Sequence, residues 1–166
     1  MAYLVDGNNL LAQTPGLSMN EPSDRRRFVS SLAQFSRTRR CKVTVFFDGL
    51  PLQGWGSTTH LGAVTVLHSG RGRTADDAIL EMIRRSRAPG DLTLVTSDRS
   101  LYERARHLGA RAEAGHAFRR TLGRAGAKEA GDSEKPERPD QEEIDYFMER
   151  FGEAAPPDSK DSSRRR

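Results

Sequence analysis

The chain has 166 residues, which is room for one domain with a proper core and not for a second full one. Residues 1–122 carry 18 Lys or Arg against 11 Asp or Glu, a net of +7, and residues 123–166 carry 9 against 12, a net of −3. The basic part points to a polyanion, nucleic acid above all, against the plainer reading that its arginines solvate a surface. No stretch reaches the ~18 apolar residues of a membrane span, and one cysteine excludes an internal disulfide, so no membrane partner is expected.

Met1-Ala2-Tyr3-Leu4 leads straight into strand-like sequence without a basic leader, so a cytoplasmic location is expected. Tyr3–Val5, Val43–Phe47, Ala63–Leu67 and Leu92–Val95 are short β-branched or apolar runs bounded by turn residues and read as buried strands. Cys41 stands just before the second run and packs as a small hydrophobe. Ala110-Arg111-Ala112 is a weaker fifth candidate, fit only for an edge. Between the strands, three sets recur at helical spacing: Phe28, Val29, Leu32 and Phe35; Ala75, Ala78, Ile79, Met82 and Ile83; Leu101, Ala105 and Leu108. Gly109 is placed to cap the last of these helices, and Pro89-Gly90 stops the one before the fourth strand. Alternating strands and helices imply an α/β, three-layer fold: a mostly parallel sheet of about five strands with helices on both faces.

Residues 123–140 lack periodicity and read as a flexible linker after a domain of residues 1–122. In the segment 141–151, Ile144, Phe147, Met148 and Phe151 form the stripe of a short amphipathic helix, which either docks back on the domain or binds a partner. Residues 152–166 read as a disordered tail, and the oligomeric state is open.

Ligands of an open α/β sheet bind beyond the carboxyl ends of its strands. Here those ends carry aspartates: Asp6-Gly7-Asn8-Asn9, Asp48-Gly49, Thr96-Ser97-Asp98, and Thr74-Ala75-Asp76-Asp77 opening the helix after the third buried run. One such aspartate is usually a turn former or helix cap, but four connections that deliver carboxylates to one edge crowd negative charge, which a raised pKa or a bound cation relieves. Oxygen-only ligands select Mg²⁺ or Mn²⁺, ions that activate water and polarise phosphoryl oxygens.

This ordered set resembles the NYN domain of the PIN-like nuclease superfamily, and within it the YacP-like bacterial group. The likeness runs through Leu4-Val5-Asp6-Gly7-Asn8-Asn9-Leu10, Val45-Phe46-Phe47-Asp48-Gly49, Thr74–Asp77 and Val95–Asp98. Asn8 stands where the family usually has tyrosine. The resemblance implies a metal-dependent ribonuclease, an endoribonuclease in the first instance. Asp6, Asp76 and Asp98 would then be the core ligands, Asp48 and Asp77 would support them, and Asn9 and Ser97 would stand behind. Neighbouring helical residues diverge by about 100°, so only one of Asp76 and Asp77 faces the ion, and Asp76 is favoured.

Arg71 and Arg73 in the Gly70–Arg73 loop, with Arg99 beside Asp98, are candidate RNA contacts, while Trp55 either stacks on a base or packs over the core. Four histidines show no ligand spacing. A catalytically silent RNA-binding or ribosome-associated module is the alternative. Gly70-x-Gly72-x-x-Ala75 also suggests a dinucleotide fingerprint, but with two aspartates where the diphosphate would sit.

Overall fold

The computed structural model describes residues 1–129, with side chains to 123; the expected helix at 141–151 and tail at 152–166 lie outside the described residues. Six strands form one sheet: β1 (Ala2–Asp6), β2 (Lys42–Phe47), β3 (Thr58–Leu61), β4 (Val64–His68), β5 (Leu92–Thr96) and β6 (Arg111–Ala114). Their order is β3-β4-β2-β1-β5-β6, parallel throughout except for the β3–β4 hairpin. The helices are α1 (Gly7–Ala12), α2 (Pro22–Arg39), α3 (Ala75–Arg85), α4 (Arg99–His107) and α5 (Gly115–Glu129). The fold is thus the expected mostly parallel α/β arrangement, with one strand more than the five anticipated. Among the described residues no helix is long and apolar enough to cross a membrane.

Side chains alternate along a strand, and two cores follow from that alternation. Leu4, Phe46 and Leu94 pack under α3 and α4 against Ile79, Leu80, Ile83, Leu101 and Ala105. On the other face Tyr3 meets Phe35 of α2 and Phe118 of α5, ring centroids 5.2 and 5.7 Å away. The α2 helix starts with Pro22 in its first turn, buries Phe28, Val29, Leu32 and Phe35, and ends with Arg37 and Arg39 near its negative terminus. Gly109 follows α4 at φ +88, the left-handed conformation expected of a glycine cap.

Three elements depart from the sequence reading. The β3 strand lies in a stretch for which the sequence predicts no element; it is a short edge strand without a buried apolar face. Asp6-Gly7-Asn8-Asn9 is not a simple turn but the start of α1, which Asp6 caps. Finally, α5 runs to Glu129, so the first seven residues of the segment read as a linker from 123 are helical.

Candidate active site

The sheet register brings the aspartates together. β1 pairs with both β2 and β5 in parallel, so Asp6 closes the central strand, Asp48 follows β2 on one side, and Thr96-Ser97-Asp98 follows β5 on the other. Leu4, Phe46 and Leu94 all face α3 and α4, and a two-residue step places Asp6, Asp48 and Thr96 on that same face. The N-terminus of α3 arrives there as well, because Asp48 Oδ1 accepts the Ala75 backbone N–H at 2.7 Å.

Each strand-end carboxylate is aimed by a helix. Asp6 Oδ1 caps α1 by accepting from Asn9 N at 3.2 Å, and Asp98 Oδ1 caps α4 by accepting from Leu101 N at 2.9 Å. Capping thus uses one oxygen of each group. Of the second oxygens, Asp6 Oδ2 accepts from the Thr96 hydroxyl at 2.9 Å and Asp48 Oδ2 from Asn8 Nδ2 at 2.7 Å. Asn8 therefore orients Asp48. Gly7 is required between Asp6 and Asn8, because a Cβ there would lie 2.6 Å from both the Phe46 carbonyl oxygen and the Phe47 ring.

The charges are mutually uncomfortable. Asp6 is only 5% exposed, and burial, aided by Asp76 and Asp48, pushes its carboxyl up to about 6. Burial raises Asp76 too, followed by the charges of Asp98 and Asp48, while Arg104 of α4 opposes the rise. Asp76 thus lies in the field of the other carboxylates, whereas its neighbour Asp77 is exposed and gives its backbone N–H to the capping Thr74 hydroxyl. Among the described residues, however, no three His, Cys, Asp or Glu side chains converge to hold a metal ion. The carboxylates form an open ledge and not a closed cage. The oxygen-only donors, with the raised pKa values of Asp6 and Asp76, fit a hard, largely hydrated cation of the Mg²⁺ type, which is held by one or two carboxylates and completes its shell with water and phosphate.

Asn9 and Ser97 meet behind the ledge, Asn9 Oδ1 accepting the Ser97 N–H at 2.9 Å. Two participants were missed from sequence: Gln13, whose Oε1 accepts from the Ser97 hydroxyl at 2.9 Å, and Arg119 of α5, which donates to the same oxygen at 3.1 Å. Arg71 and Arg99 are exposed, and among the described residues neither joins an ion pair; Arg73 is instead paired with Glu81 of α3, which Arg85 also contacts. Trp55 is 7% exposed and packs edge-on to His68 at 6.0 Å, so of its two readings the packing one holds. The α3 N-terminus has two N–H groups already taken, by Asp48 and Thr74, which removes donors a dinucleotide would need.

Two surface depressions lie away from the ledge. One of about 790 Å³ at the opposite ends of the strands includes Arg37, Arg40 and Lys42, and one of about 550 Å³ beside α3 includes Leu67, Ala78 and Met82. Asp48 and Asp98 are themselves exposed, a geometry suited to a polymer strand laid across the edge more than to an enclosed small molecule.

The crystal structure of Rae1 (YacP) from Bacillus subtilis is similar to this chain with a TM-score of 0.66 at 17% identity, covering 90% of this chain and 82% of that one. A mutant of the same protein gives 0.63 at 20% identity, covering 76% and 77%. At that identity the likeness shows the fold. No curated protein sequence matches the chain. The YacP-like NYN domain family matches residues 3–151, nearly the whole sequence. The chain therefore belongs to the YacP-like NYN domain family of the PIN-like nuclease superfamily.

Proposed function

We propose that the protein is a divalent-metal-dependent ribonuclease that hydrolyses RNA phosphodiester bonds internally at the Asp6, Asp76 and Asp98 ledge, in the cytoplasm. The observation that carries this reading is the gathering of four carboxylates, from four separate connections, at one sheet edge, with two of them, Asp6 and Asp76, raised in pKa by burial and by neighbouring carboxylates. Mg²⁺ or Mn²⁺ bound there would supply an activated water and neutralise charge developing on the scissile phosphate. Asp6, Asp76 and Asp98 would hold it, one or two of them directly and the rest through its water shell, Asp48 and Asp77 would add negative potential at the rim, and Asn9 and Ser97 would keep the Asp98 turn in place. Ionised Asp6 and Asp76 are the forms that bind the cation, so activity should rise with pH through their raised pKa values.

Arg71 and Arg99 are the candidate phosphate contacts along the ledge, with Arg73 a weaker one because Glu81 already holds it. The deciding experiment incubates the purified protein with structured RNA, single-stranded RNA and DNA, each with Mg²⁺, Mn²⁺ or EDTA. Cleavage of RNA that requires the metal and leaves internal ends supports the reading; binding without cleavage under every metal condition overturns it. That second outcome would favour a silent RNA-binding or ribosome-associated module, a reading with one observation behind it, the lack of a ready-assembled metal cluster among the described residues.

A further inference from the structure

The carboxylate ledge has a second half that the acidic residues leave unused. Strand alternation turns Asp6, Asp48 and Thr96 toward the α3 and α4 layer, and it turns Ser97, one residue past Thr96, toward α1 and α5. On that side the side chains are hydrogen-bond donors. Ser97 is gripped twice, its N–H by Asn9 Oδ1 at 2.9 Å and its hydroxyl by Gln13 Oε1 at 2.9 Å, while Gln13 Nε2 donates to Asn9 Oδ1 at 3.2 Å.

Arg119 is brought to this cluster by the seating of α5. A Cβ on Gly115 would lie 2.5 Å from Ser97 Oγ and 3.3 Å from Leu10, so only glycine lets the helix start this close to the Ser97 turn. Arg119 is four residues on, hence on the same helix face, and long helical side chains lean back toward the N-terminus. Its Nη1 reaches Gln13 Oε1 at 3.1 Å. A guanidinium has five N–H donors, and among the described residues Arg119 forms no other hydrogen bond or ion pair. Asn9 Nδ2 donates to no described residue either. The acceptors of the cluster are consumed from within and its donors are left over, which is the signature of a site for an anion.

We propose that Asn9, Gln13 and Arg119 form a phosphate-binding subsite on the α1 and α5 side of the ledge, opposite the carboxylates, that receives the backbone of the RNA being cut. The subsite rests on the ribonuclease reading. It assigns the two halves of one edge complementary tasks: carboxylates take the cation, and the guanidinium with two side-chain amides takes the non-bridging oxygens of a phosphate. Arg119 is suited to this because its planar donors match phosphate oxygens in pairs, and Gln13 fixes its orientation through the single bond it spends.

The test measures affinity of the full chain for labelled single-stranded RNA in EDTA at several salt concentrations, with cleavage in Mn²⁺ and melting curves in parallel. Arg119→Gln should bind about tenfold more weakly with a salt slope shallower by about one, as for the loss of one phosphate contact. Gln13→Ala should weaken binding by a smaller factor. Arg119→Lys, which keeps the charge, should retain the slope; should Arg119→Gln fail to fold, Gln13→Ala carries the test, and unchanged affinity in it would overturn the subsite. Arg120→Ala, an exposed neighbour on the same helix, should match the wild type. Unchanged affinity and slope in a folded Arg119→Gln would overturn the subsite. So would lost cleavage with intact RNA binding, because Arg119 would then only brace the Asp98 turn. A wild type that binds no RNA would instead overturn the ribonuclease reading itself, a result visible before any variant is made.

Discussion

The buried Thr96 hydroxyl donates to Asp6 Oδ2 at 2.9 Å, linking the ends of two neighbouring strands. Thr96 Oγ1 in turn accepts the Asp98 backbone N–H at 3.0 Å, so one side chain orients one carboxylate and the turn that presents another.

Thr96→Val keeps the shape and removes both bonds. The Thr96 bond favours the charged form of Asp6, so its loss should raise the Asp6 pKa further. We expect a destabilisation of about 1–3 kcal/mol, typical of stranding a buried polar group. The acid limb of the pH–cleavage profile should move to higher pH. An unmoved limb in a folded variant would show that Thr96 does not tune Asp6.

Asp6→Asn should make the metal-free protein more stable at neutral pH. Burial holds the Asp6 carboxyl at about 6 in the folded state against 3.8 for the free group. Below about 4 the carboxyl is protonated folded or unfolded and costs nothing. As pH rises from about 4 to about 6 the unfolded chain ionises first, so folding loses stability, and above about 6 the full cost of about 3 kcal/mol applies. Asparagine escapes this and still caps α1. Melting curves in EDTA should therefore show an advantage for Asp6→Asn at pH 7.5 that vanishes toward pH 4, and saturating Mn²⁺ should stabilise only the wild type. A pH-independent difference would contradict the burial argument.

How much of this was legible in sequence depends on what each element rests upon. The inner parallel strands β1, β2, β4 and β5 were legible because each is a short β-branched or apolar run, and the aspartates at or after their ends then fell on one edge by topology alone. Thr58–Leu61 was not, since an exposed edge strand has no buried face to impose a period. The α1 helix was hidden because Asp6-Gly7-Asn8-Asn9 uses turn residues, and it takes the Asp6 cap to turn them helical. Gln13 and Arg119 stand 106 residues apart and join only when α5 packs beside α1, which no local spacing reveals. The Arg73 ion pair was hidden for a similar reason: Glu81 reaches it only once α3 has formed.

Of the three arginines proposed along the ledge, Arg71 and Arg99 should matter more for RNA than Arg73. Each free guanidinium that meets a phosphate releases counterions, so Arg71→Ala with Arg99→Ala should flatten the salt dependence of RNA binding by up to about two in slope. Arg73→Ala alone should change it little, since its charge is already shared with Glu81. Binding isotherms from low to moderate salt decide the matter, and a larger effect from Arg73 than from the pair would mean that its ion pair opens on RNA.

Asp76→Asn should abolish metal-dependent RNA cleavage while the protein stays folded and still binds RNA. Asparagine keeps the size of the side chain and removes the anionic oxygen that a hard cation requires. Asp76 is half-buried at the start of α3, and burial and the charges of Asp98 and Asp48 all raise its pKa, so its carboxylate shares their field. Without metal, Asp76→Asn should melt at or above the wild-type temperature, because one of several repelling charges has gone; with Mn²⁺ the wild type should gain stability and the variant should not. Asp77→Asn is the comparison. Asp77 is exposed one position further round the helix and answers to Thr74, so its loss should lower cleavage only a few-fold, through weaker potential at the rim. Single-turnover cleavage of a labelled RNA by the three proteins, run beside Mn²⁺ titrations followed by melting temperature, separates the roles. An inactive Asp77→Asn with a nearly unaffected Asp76→Asn would exchange the two neighbours, and full activity in both would remove the α3 carboxylates from the mechanism.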